Sequence, residues 1–193
     1  MKKLIAAIAL MMSLMLVLPV MAEGTGLRAS SFSGMNMSSA QADGQDDVLQ
    51  AKNAQFLQNF LDSRNYIYEK RSDNVFMLDF TIDGAYPSAQ LWLTVYDNGV
   101  QCEVTCDVTV DAGAMAELCR YAMYVNSTQR STLFYLDKGN ELWSVNFCLA
   151  GPDGMDEESF SNYYVSALTR WEVYGQDFKD ILEGNKTAAE LMN

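Results

Sequence analysis

The chain of 193 residues is 49% hydrophobic and 20% charged, with 25 acidic against 13 basic side chains, a net charge of −12, and no histidine. An acidic chain is repelled by nucleic acid and by anionic membrane surfaces. Without histidine there is no imidazole base for a Ser-His-Asp or Cys-His arrangement and no His-based zinc site, so those enzyme classes are excluded.

Met1 to Ala22 carries Lys2 and Lys3, an apolar run from Leu4 to Val17, and then Pro19-Val20-Met21-Ala22. A basic start, an apolar middle and small residues before a cut are a secretory signal, with cleavage expected before Glu23. The run falls short of the roughly 20 residues of a membrane span, and no cysteine follows it to take a lipid. Residues 1–22 are therefore a signal peptide. The remainder is extracytoplasmic: secreted, or periplasmic and in the cell envelope, without membrane contact once the signal is removed. The cleaved chain keeps 11 of the 13 basic residues against 25 acidic ones, a net charge of −14. Residues 23–46 are rich in glycine and serine and lack periodicity, which reads as a flexible leader. A partner-binding arm using Met35 and Met37 is the alternative for that stretch.

From 47 to 184 the pattern is dense. Asp46 or Asp47 caps a helix with Leu49, Phe56, Leu57, Phe60 and Leu61 at three- and four-residue steps, ending near Ser63. Tyr66-Ile67-Tyr68 and Val75 to Ile82 read as strands joined through Ser72-Asp73-Asn74. In Leu91 to Cys106, Asn98-Gly99 is a favoured hairpin centre, which pairs Val95 with Cys102, Leu93 with Val104 and Leu91 with Cys106. Even-numbered residues 100 to 108 then turn toward the core and odd ones outward. Met115, Leu118, Cys119, Ala122 and Val125 mark a helix over about 112–126. A second hairpin joins Thr132–Leu136 to Leu142–Leu149 through Asp137-Lys138-Gly139-Asn140, with Phe134 and Leu136 on the parity of Trp143, Val145, Phe147 and Leu149. Asp156-Glu157-Glu158 sit at the dipole-favoured start of a long helix buried through Phe160, Tyr164, Leu168, Trp171, Phe178, Ile181 and Leu182. Gly184 ends it. Residues 185–193 are expected as a frayed tail.

Helix, antiparallel strands, helix, hairpin and helix define an α+β fold, an antiparallel sheet with N-terminal, central and long C-terminal helices. The residues that follow carry a resemblance: Tyr66 to Glu69 on through Phe80, Asp97-Asn98-Gly99, Glu117 to Asn126, Phe134-Tyr135-Leu136-Asp137 before Gly139-Asn140-Glu141-Leu142, and the acid-capped last helix. Over 47–184 this order resembles a YbjN-type domain, a family similar in fold to bacterial type III secretion chaperones. The resemblance implies the fold. Members labelled as sensory transduction regulators have no established reaction and supply no site residue to carry over. The chain departs from the chaperones in its export signal, because they serve clients in the cytoplasm.

Four cysteines are present. Cys102 and Cys106 lie on one strand face about 13 Å apart at roughly 3.3 Å per residue, beyond the limit of about 7 Å for a disulfide. Strand parity puts Cys148 outside with Ser144 and Asn146, leaving Cys119 to bond Cys102 or Cys106, or else four free thiols. Thiol catalysis lacks its base. Asp153, Asp156, Glu157 and Glu158 do not alternate as calcium-loop ligands do, and read as helix capping. Asp79 and Asp83 form no paired constellation. No metal or cofactor is expected. Trp92 and Tyr96 share the outer sheet face with Met77, Tyr135 and Leu142, a surface that either meets a partner or is covered by another element. The sequence thus points to an exported, non-catalytic binding module. It would engage a peptide, a protein or a second copy through that face or through a sheet edge. The alternative is an extracytoplasmic carboxylate-based hydrolase or calcium-dependent enzyme.

Overall fold

The computed structural model describes residues 43–129, 131–151 and 154–193. The signal peptide, the leader up to residue 42 and Asp153 lie outside the described residues. In chain order the elements are α1 Asp43–Ser63, β1 Glu69–Ser72, β2 Val75–Thr81, β3 Ser88–Tyr96, β4 Gly99–Thr109, α2 Met115–Thr128, β5 Leu133–Leu136, β6 Glu141–Leu149, α3 Glu157–Leu182 and α4 Ala188–Leu191. The strands form one antiparallel sheet in the order β1-β2-β3-β4-β6-β5. This is the expected α+β architecture. The first strand begins at Glu69, three residues later than Tyr66, because Tyr66 turns inward and its hydroxyl meets that of Tyr164 at 2.8 Å.

One face of the sheet is buried. Leu91, Leu93 and Val95 of β3 and Val100, Cys102 and Val104 of β4 are at most 1% exposed, and they join Leu57 and Phe60 of α1, Leu118 and Val125 of α2, and Phe160, Trp171 and Phe178 of α3 in a single core. Each such side chain contributes about 1.5–3 kcal/mol by leaving water. Aromatic edges knit the layers, with Phe60 to Phe160 at 5.0 Å and Phe134 to Phe178 at 4.7 Å between ring centroids.

The β3–β4 hairpin keeps its expected faces but slips by two residues. Val95 pairs with Val100, Leu93 with Cys102 and Leu91 with Val104, so Asp97-Asn98 makes the turn and Gly99 opens β4. A slip of two leaves every side chain on its own face. At Cys106 and Asp107 a bulge adds two residues to β4, with Asp107 at φ 56 and its N–H donated to the Thr105 hydroxyl at 3.1 Å. Two added residues also preserve parity, and Val108 stays buried.

The second hairpin differs in a way that matters more. Phe134 pairs with Ser144 and Leu136 with Leu142, so five residues, not four, lie between the last paired residues of the hairpin. The Asp137 carboxylate accepts the N–H groups of Gly139 and Glu141, both at 2.8 Å, and Asn140 takes a left-handed φ of 61. One extra residue turns β6 over. Leu142, Ser144, Asn146 and Cys148 therefore face the core, and Trp143, Val145 and Phe147 face outward.

Both sheet edges are guarded. On β5, Asn126 of α2 donates to the Phe134 carbonyl at 2.9 Å and accepts the Phe134 N–H at 2.8 Å, filling the positions an added strand would need. On the other side β1 is four residues long and reads Glu-Lys-Arg-Ser, a charged edge that resists pairing. The C-terminal residues are not frayed. Thr187 and Glu190 form a capping box, Ala188 is fully buried, and its N–H is donated to the Glu117 carboxylate at 2.8 Å. The expected tail is a short helix docked on α2. At the start of α3, Asp156 accepts the Ser159 N–H at 2.8 Å, the capping role its position suggested.

Candidate functional site

The open face of the sheet is built from the residues between the core-facing ones. Across five strands the pairing sets Met77, Trp92, Glu103, Val145 and Leu133 in one row, with Gln90, Thr105, Trp143 and Tyr135 in the next. Among the described residues the helices all pack on the opposite face. Trp92 and Trp143 lean together over the gap between rows, their ring centroids 6.5 Å apart at 61°. Their indole N–H groups are shielded from water and have no hydrogen-bond partner among the described residues. Arg71 stands over Trp92 at 5.6 Å from the ring centre, held by Glu69 at 2.9 Å and reaching the Met77 sulfur at 3.6 Å.

The Tyr135 hydroxyl donates to Glu103 Oε1 at 2.6 Å. Burial, then the neighbouring Glu103 carboxylate, pushes that hydroxyl well above the ordinary tyrosine value, so it stays a donor at physiological pH. Near the hairpin tip, Tyr96 and Phe147 meet at 6.0 Å across Gly99, which has no side chain to separate them. From the other face α1 pins this tip. The Asn53 amide donates to the carbonyls of Tyr96 and Asp97 at 3.0 and 2.9 Å, and Gln50 donates to that of Val95 at 2.8 Å. Tyr96 is 37% exposed and Leu133 48%.

Trp92, Tyr96, Met77 and Tyr135 lie on the face the sequence assigned to them, although Met77 is 8% exposed beneath Arg71. Leu142 does not: it is fully buried in the core, and the reversed β6 puts Trp143, Val145 and Phe147 on the surface instead. The signal that could have found them is Asn140 after Gly139, since asparagine tolerates the left-handed conformation that lengthens this loop.

The disulfide of Cys119 with Cys102 or Cys106 is not formed, and all four cysteines are free. The strand order explains this for Cys102. Its β4 neighbours are β3 and β6, whereas α2, which carries Cys119, lies by β5 on the far side of β6. Cys148, expected outside, is fully buried. Burial pushes the Cys148 thiol up to about 11, that of Cys106 up to about 12, and that of Cys102 higher still. Because the thiolate is the reacting species, a disulfide reagent at pH 8 should titrate no more than one thiol promptly in the native protein and four in guanidinium. Fewer than four after denaturation would mean a disulfide exists.

Among the described residues no group of three or more Asp, Glu or Cys is placed to hold a metal, and no helix is long and apolar enough to cross a membrane. Fold and surface together define an α+β domain with one helix-covered and one open sheet face. No protein-family model matches the chain, and no curated protein matches it. The chain is similar to the crystal structure of YbjN from E. coli, at 16% identity over 70% of this chain and 92% of that one, with a TM-score of 0.48. No residue's role is drawn from it.

Proposed function

We propose that the protein is an exported, non-catalytic binding module that takes a peptide or protein partner on the open face of its sheet. The observation that carries this reading is the cluster of Trp92, Trp143, Tyr96, Phe147 and Tyr135 on a face that none of the described helices covers. Tryptophan and tyrosine anchors set in a shielded apolar surround are the residues that dominate protein interfaces. The guarded edges favour the face over strand addition, because Asn126 already occupies the outward groups of Phe134. Export rests on Met1 to Ala22, and with it the extracytoplasmic location.

The test is capture of partners by the mature chain from its native envelope or medium, compared with a Trp92→Ala, Trp143→Ala double variant. The double variant is expected to lose at least tenfold in affinity for whatever the wild type retains, as hot-spot truncations of about 1.4 kcal/mol or more do, with little change in melting. Equal retention by a folded double variant would remove the face from consideration. Bound calcium or turnover in the purified chain would favour the hydrolase alternative.

A further inference from the structure

Resting on that reading, we infer that the partner segment is cationic and seats a lysine or arginine on Glu103, between Trp92, Trp143 and Tyr135. Glu103 stands at the middle of the open face, directly opposite Trp92 on β3 and Val145 on β6. Tyr135 holds one of its carboxylate oxygens at 2.6 Å, which fixes the group, and leaves the other oxygen unpaired among the described residues. A carboxylate set among aromatic side chains suits an ammonium or guanidinium, through charge and through the ring quadrupoles together.

The charge of the surrounding surface points the same way. The face positions of β1, β2, β4 and β6 carry Glu69, Asp79, Glu103 and Glu141, against Arg71 as the basic side chain there, and Glu69 already engages it. Arg71 also shows how the face treats a cation, since its guanidinium lies 5.6 Å over Trp92. The cleaved chain adds a net charge of −14, which would speed the approach of a basic partner. A second copy is a poorer occupant. A two-fold contact through this face would set like charges against one another around Glu103 without a supply of counter-charges.

The experiment titrates the mature chain with a twelve-residue peptide of alternating lysine and valine, and with the same peptide carrying glutamate for lysine. Fluorescence of Trp92 and Trp143 reports binding. The lysine peptide should bind and the glutamate peptide should not. Glu103→Gln, which keeps an acceptor for Tyr135, should weaken the lysine peptide at least fivefold. Asp47→Asn, an equal charge change on the exposed start of α1, should leave it within twofold. Circular dichroism melting of each variant separates lost binding from lost folding. Equal weakening by both substitutions, or equal binding of both peptides, overturns the inference. If Trp143→Ala releases the natural partner while Glu103→Gln retains it, the open face stands and its cationic specificity falls. If neither substitution releases that partner, the face itself falls.

Discussion

A Gly99→Ala variant is expected to lose on the order of 3–5 kcal/mol of stability, about 10 °C or more in melting temperature for a domain of this size. The cause is local and has two parts. Gly99 sits at φ 153, a conformation that side-chain-bearing residues rarely adopt, and relieving it means moving the first residue of β4. A methyl group there would also overlap the Cys148 carbonyl oxygen and stand 2.8 Å from Cε1 of Phe147. The carbonyl belongs to the β4–β6 ladder, where Gly99 opposes Leu149 and Val100 opposes Cys148, so it cannot swing aside without breaking the sheet at its centre. Gly184 makes the control. It also has a positive φ, 70, but nothing lies within 4 Å of its missing methyl, so alanine there should cost about 1 kcal/mol. Denaturant midpoints for the two variants decide the matter. A Gly99→Ala protein as stable as Gly184→Ala would mean that β6 does not approach the hairpin tip as described.

The same substitution bears on the surface. Phe147 lies over Gly99 and beside Tyr96, so displacing its ring disturbs the aromatic patch as well as the ladder. Gly99 thus links the stability of the sheet centre to the shape of its open face. Binding assays on this face are best read from variants that leave position 99 alone.

What the sequence revealed followed from periodicity, and what it concealed followed from turns. Leu57, Phe60 and Leu61, or Phe160, Tyr164 and Trp171, announce their helices because only one face of each is apolar. The alternation in β3 likewise placed Trp92 and Tyr96 outward. The hairpin register differs from the sequence expectation by two residues with no consequence for facing, since strand side chains repeat every two. For β6 the error was one residue, hidden in the left-handed Asn140, and it exchanged Leu142 for Trp143 and Phe147 in the candidate surface. β6 invites this error because Leu142 and Cys148 on one side are no less apolar than Trp143, Val145 and Phe147 on the other. Ser144 and Asn146 then suggest the wrong face for solvent. The docked C-terminal helix was hidden for another reason: its four residues are too few for periodicity, and its anchor is Glu117, some seventy positions earlier.

The facing of β6 can be measured through Trp171. This side chain is 1% exposed and packs edge-on against Phe134 at 5.6 Å and Tyr86 at 5.9 Å, while its indole N–H is donated to the Ser144 hydroxyl at 3.0 Å. Trp171→Ala removes the largest side chain of the core and is expected to cost about 3–5 kcal/mol. Trp171→Phe fills most of the space but leaves the buried Ser144 hydroxyl without its donor, a loss of about 1–3 kcal/mol. Ser144→Ala orphans the indole N–H to a similar extent. Combined with Trp171→Phe, however, Ser144→Ala should add little, because both halves of the pair are then gone, and the two changes should couple by about 1 kcal/mol. Urea unfolding followed by far-UV circular dichroism gives all four corners of the cycle without relying on the fluorescence of the mutated residue. If the two substitutions are additive, Ser144 does not face α3. β6 would then present Ser144 and Asn146 outward, and Trp143 and Phe147 would leave the surface on which the binding proposal rests.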